Sequence, residues 1–245
     1  MDEAYQIFDY LPVRFKNENE TEYINFLWSS FESNHEKGNY QFAVIAYHML
    51  FMSFIYFKVW QIKNNTSANF ENSLIGFADK IEKSFMEATS PFSFSEEQEA
   101  RIFLFFKLIG IGPERIGKYK KLVKDRNEIA HSNGNVFYKS EDDLFDKVIE
   151  YNKMIAEIQI YSNALIQNCY SCFLKESANV EEREYLEREY QLKEALIYRH
   201  YLSKADIKYC YSYEIEQHND NPDYAEIKNL HILLQEEYSD VIMEE

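Results

Sequence analysis

The chain has 245 residues, 46% hydrophobic and 17% aromatic, with 26 basic against 42 acidic side chains for a net charge of −16. That length buries a large core and implies one main domain with at most an appendage, while the acidic balance argues against a protein that coats nucleic acid by overall charge. Four prolines and six glycines are too few for the many tight turns of a sandwich or barrel, so an all-α helical bundle is expected.

A first helix is predicted over about 20–35, ending near Gly38, and an apolar second helix over about 39–63, stopped by Asn64-Asn65-Thr66-Ser67. Within it, Phe42 to Phe57 (FAVIAYHMLFMSFIYF) is only sixteen residues long and contains His48, short of the roughly 20 residues a membrane-spanning helix needs. It reads as a central helix buried on all sides, with His48 as a satisfied core residue and no membrane implied. A third helix, about 70–87, breaks in Ala88-Thr89-Ser90-Pro91. Ser95 is the expected N-cap of a fourth, running to about Leu108, with Glu96, Glu97 and Glu99 in a first turn that favours acids.

Gly110-Ile111-Gly112-Pro113 makes a corner into a helix over about 113–132, ended by Ser132-Asn133-Gly134-Asn135. Ser140 with Glu141, Asp142 and Asp143 opens a long helix over about 141–173, expected to pack antiparallel to the preceding one. After Ser177 the composition shifts toward Glu, Tyr, Arg and Lys, and a more solvated helix is predicted over about 180–203, with shorter ones near 205–217 and 224–237. The division expected is a bundle over 1–176 and an acidic helical appendage over 177–245.

Charge is unevenly spread. Residues 1–36 hold eight acidic and two basic side chains and 214–245 ten and one, but between Pro113 and His131 the balance reverses, with Arg115, Lys118, Lys120, Lys121, Lys124 and Arg126 against three acids. Salt screens exposed charges beyond roughly 8–10 Å, so this local field is what a bound phosphate would meet. The acidic ends would limit indiscriminate RNA binding or dock a basic partner. Lys120, Lys121 and Lys124 are candidates for tracking an RNA backbone, although a solvated face is the commoner fate of helix lysines.

Arg126-Asn127-Glu128-Ile129-Ala130-His131 carries the densest chemistry. At 100° per residue Ile116, Tyr119, Leu122, Val123, Ile129 and Ala130 form an apolar stripe with Arg126 near its centre, and Asn127 and His131, four apart, share an adjacent face. Arginine supplies a permanent forked cation for a phosphate, histidine titrates near neutrality, and the carboxamide orients either. The competing reading is an arginine satisfied by a bundle carboxylate, with His131 a polar residue at a fraying helix end.

The segment resembles the Arg-polar-x3-His signature of the HEPN superfamily (higher eukaryotes and prokaryotes nucleotide-binding). The resemblance covers about 35–170 as a helix pattern and matches as a motif at Arg126, Asn127 and His131 alone. It implies a metal-independent endoribonuclease of a toxin–antitoxin, abortive-infection or CRISPR-associated system, active as a homodimer that brings two motifs together. Some members have lost activity and serve as binding or assembly modules. In one toxin branch a tyrosine two residues after the histidine is modified by a nucleotidyltransferase antitoxin; Asn133 stands at that place here, so that regulation is not implied.

Cys169 and Cys172 form a C-x-x-C that a helix makes simple neighbours, and a zinc site would lack a second close pair beyond His200 and Cys210. Three cysteines form no disulfide framework, and MDEAYQIFDY has neither a basic n-region nor an apolar h-region. The expectation is therefore a cytoplasmic, dimeric endoribonuclease without metal or cofactor, acting on RNA and restrained by an antitoxin or regulatory subunit. The alternatives are a catalytically silent helical module that binds RNA, a nucleotide or a protein, and a structural adaptor using 214–245.

Overall fold

The apolar run after Gly38 becomes the central helix of an all-helical protein. The computed structural model describes residues 1–131 and 134–240; helices account for 76% of the structure and no strand forms among the described residues. A short α1 (Asp2–Tyr5) precedes α2 (Glu18–Glu36), whose N-cap Asn17 accepts from the Glu20 amide at 2.9 Å. α3 (Tyr40–Asn65) lies along α2 and is enclosed by protein: by length and composition it meets the requirement for crossing a membrane, yet 83% of its most apolar window is buried within the fold. Burial on every side explains why its sequence shows no polar stripe.

Two of the expected helices are broken. The third divides into α4 (Ser67–Ser73) and α5 (Asp79–Met86), because Gly76, at φ 91°, turns the chain between them. Ser95 caps nothing: it lies inside a 3-10 stretch, Pro91–Glu96, capped by Ser90, and its hydroxyl donates to the Phe92 carbonyl at 2.7 Å. The α-helix there is only α6 (Glu99–Ile102), continuing as 3-10 turns over Phe103–Ile109. Phe103, Phe105 and Phe106 are all buried, and three residues per turn puts 103 over 106.

Gly110, at φ 86°, ends that segment, and α7 (Pro113–Ala130) starts with proline in its first turn. A Ser140/Asp143 capping box opens α8 (Glu141–Ala178). The two helices run antiparallel, as their side-chain pairs record: Arg115 and Tyr119 both meet Glu157, and further along α7 Asp125 meets Lys147 at 2.7 Å.

Beyond α8 the chain forms α9 (Arg188–Tyr190), a π-helix over Gln191–Tyr198, α10 (Lys204–Tyr211) and α11 (Tyr224–Glu237). The solvated helix expected over 180–203 is not found: it starts only at Arg188, and Gln191, Leu192, Ala195, Leu196 and Ile197 are buried, since this segment closes a second core against α8. The two buried clusters divide on α8 between Leu165 and Ile166. They are tied by a buried pair, Lys58 Nζ to Asp206 Oδ1 at 2.6 Å, with Gln61, Gln159 and the Ser203 amide completing the carboxylate's hydrogen bonds.

Candidate functional site

On α7, Ile116, Tyr119, Leu122, Val123 and Ile129 face the core as their spacing requires, while Ala130 is exposed. Arg126 falls within that stripe and is three-quarters covered. Its Nη2 lies 2.5 Å from Glu99 Oε2, the first residue of α6. The same oxygen is 2.9 Å from His48 Nε2, and His48 Nδ1 is 2.9 Å from the Tyr151 hydroxyl. Four helices therefore meet in one chain of polar groups: α8 through Tyr151, α3 through His48, α6 through Glu99, and α7 through Arg126.

The chemistry of the donors fixes the protons. A carboxylate only accepts, so His48 Nε2 carries the hydrogen and Nδ1 accepts from Tyr151. Complete burial pushes the His48 imidazole down, against the pull of Glu99, and keeps it neutral near pH 7. Burial alone would raise the Glu99 carboxyl, but the hydrogen bonds from His48 and Arg126, with the arginine's charge, hold it below the usual carboxylate range. With His48 neutral, its contribution is the hydrogen bond, and Arg126 supplies the stabilising charge.

Arg126 and Asn127 line a cavity of about 420 Å³ that also takes in Tyr56, Ser95, Glu97, Gln98 and Glu99. Arg126 Nε is buried and has no hydrogen-bond partner among the described residues, a state that costs on the order of 1–3 kcal/mol for an ordinary buried donor. Glu99 thus satisfies one edge of the guanidinium and leaves another unmet.

His131 is elsewhere. It is the first residue past α7, with φ −85° and ψ 145°; its amide still donates to the Asn127 carbonyl at 3.1 Å, but its side chain leaves the helix face, is exposed, and does not line the cavity. The expectation that Asn127 and His131 share one helical face fails for this reason. Of the helix terminators, Ser132 and Asn133 lie outside the described residues. Close by, Gln41 donates to the Ile129 carbonyl at 3.5 Å and accepts from the Phe137 amide at 2.9 Å, which brings the exposed side chains of Phe42, Val136 and Phe137 beside the end of α7.

The lysines divide. Lys120 is half-buried and, seven residues before Asn127, shares its side of the helix; Lys121 and Lys124 are exposed, and Lys124 is 3.9 Å from Glu128. Cys169, Cys172 and His200 line a different cavity of about 330 Å³, at the π-helix, and no cluster of three metal-ligating side chains occurs among the described residues.

Sequence reasoning missed Glu99, His48 and Tyr151 as members of the arginine's environment. The available signal was the arginine itself: a cation in an apolar stripe demands an anion from another helix. No family model matches the chain, and no curated protein or solved structure matches it.

Proposed function

We propose that the protein is a metal-independent endoribonuclease of HEPN type, acting as a homodimer within a prokaryotic toxin or antiviral defence system. The observation that carries this reading is the placing of Arg126 and Asn127 side by side on the wall of an open cavity, with His131 exposed at the end of the same helix. In this reaction a ribose 2′-oxygen attacks the adjacent phosphorus, the bond from phosphorus to the 5′-oxygen breaks, and the products are a 2′,3′-cyclic phosphate and a 5′-hydroxyl. His131 takes the 2′-proton or protonates the leaving oxygen. Arg126 stabilises charge on the phosphoryl oxygens, and Asn127 orients a phosphate oxygen. The His131 of a second copy supplies the complementary acid or base. What supports a dimer is the exposed apolar group of Phe42, Val136 and Phe137 beside the helix end that bears His131. The acidic ends suit a basic regulatory partner, and RNA entering past Lys120 meets a locally positive stretch of an acidic chain.

A second reading, a catalytically silent helical module binding RNA, a nucleotide or a protein, draws on the 2.5 Å pairing of Arg126 with Glu99 and the position of His131 outside the cavity. The two separate on one experiment: labelled total RNA incubated in EDTA with wild type, Arg126→Ala and His131→Ala. Cleavage by wild type that both substitutions abolish is expected for the nuclease. A wild type that binds RNA without cutting it supports the silent module, and a His131→Ala protein as fast as wild type removes His131 from the mechanism.

A further inference from the structure

Arg126 is paired before any ligand arrives. Its partner Glu99 stays a carboxylate throughout the working pH range, lies 2.5 Å from Nη2, and stands on the same cavity wall as Asn127. We infer that Glu99 is an internal stand-in for a phosphodiester: it holds Arg126 in the resting protomer, and an RNA phosphate engages Arg126 by displacing it. This rests on the reading of Arg126 as a phosphate-binding cation and adds how that cation is restrained.

Three observations make the exchange physically reasonable. Both partners are reachable from solvent, with side chains 25% and 22% exposed, so an incoming anion meets the pair directly. The pairing leaves Arg126 Nε buried and unpaired, so Glu99 does not satisfy the guanidinium fully; a phosphate offers several acceptor oxygens to the fork once Arg126 turns from Glu99 toward it. Finally, Glu99 does not depend on Arg126 alone. His48, completely buried and itself anchored by Tyr151, keeps a hydrogen bond on the carboxylate after the arginine leaves. Losing a partner is severe for a buried charge when nothing remains to meet it, and here something remains.

The charge consequence has a definite sign. While Glu99 is ionised the pair is neutral overall and repels a phosphate about as much as Arg126 attracts it. Glu99→Gln removes the competing charge and keeps an oxygen to accept from His48. The test measures binding of a short single-stranded RNA with 2′-O-methyl riboses, which retains every phosphodiester but lacks the attacking hydroxyl, by fluorescence anisotropy at low salt. The proteins are full-length wild type, Glu99→Gln, Arg126→Ala and the double variant. Glu99→Gln is expected to bind about tenfold more tightly than wild type, an effect of the size seen for close charge pairs, and the gain is expected to vanish when Arg126→Ala is added.

Binding by Glu99→Gln that is unchanged or weaker overturns the inference; if Arg126→Ala still weakens binding, the phosphate-binding reading of Arg126 stands without it. A gain that survives in the double variant overturns both, because the effect would then be general charge. Absence of binding by all four overturns both as well. Should Glu99→Gln not fold at the assay temperature, Glu99→Asp keeps the charge and shortens the reach by one methylene, with a smaller gain expected and an unchanged affinity counting against the inference.

Discussion

Two cation–carboxylate pairs are tied to α3 about three turns apart, and they are finished to different degrees. Lys58 and Asp206 are 2% and 0% exposed; Asp206 accepts from Lys58, Gln61, Gln159 and the Ser203 amide, so both its oxygens are met. Arg126 and Glu99 face a cavity and leave a buried Nε without a partner. The same two kinds of charge thus serve opposite ends. A pair closed on all sides pins the chain after the π-helix to the central helix, whereas a pair left open keeps a cation within reach of solvent.

The largest effect should come from the closed pair. Asp206→Ala strands the Lys58 ammonium in the core and removes the carboxylate half of the Ser203/Asp206 capping box of α10, and should cost about 3–5 kcal/mol in a urea unfolding curve; a loss under about 1 kcal/mol would break the contrast. Arg126→Ala removes a part-exposed pair together with its own unmet Nε, and is expected to cost about 1 kcal/mol or less in the same measurement. A cost as large as that of Asp206→Ala would make Arg126 a structural residue and remove the reason to regard its site as open.

Acid should act gradually, because several groups titrate in turn. His48 and His200 are held neutral by burial, His200 down to about 4. The unfolded chain therefore takes up protons first once the pH drops below about 6.5, and stability present above that value is lost as pH falls. His218 and His231, also lowered by burial, act in the same direction. Glu99, held below its ordinary value by the His48 hydrogen bond and Arg126, adds a loss that begins only below about 4.5. The thermal midpoint should decline steadily from pH about 7 to about 4; a rise on acidification would contradict the neutral assignment of these imidazoles.

Much of the helical order is legible in the chain, because the strong signals are local. Pro113 at the start of α7, Ser140 with Asp143 at α8, and the unbroken apolar run of α3 each specify an element from within a few residues. Where the outcome depended on packing, the sequence misled. Glu96, Glu97 and Glu99 after Ser95 have the composition of a helix start, yet three neighbouring phenylalanines needed burial together and drew the segment into 3-10 turns. The candidate site divides similarly. Arg126 and Asn127 share a wall because adjacent residues on one helix must lie near each other, but His131 depended on the helix lasting one residue more, and α7 ends at Ala130. Glu99 and His48, 51 residues apart, are brought together by the fold, and no spacing rule connects them.

α8 is 38 residues long, about 57 Å at 1.5 Å per residue, and belongs to both buried clusters: Leu144 to Leu165 pack into one, Ile166 to Ala178 into the other. Neither cluster can melt without taking away half the support of that rod. Heat should therefore be absorbed in a single cooperative peak, and a molecule that grips only the far end of the rod adds its binding free energy to the persistence of the whole. The architecture makes remote attachment and local durability the same thermodynamic quantity.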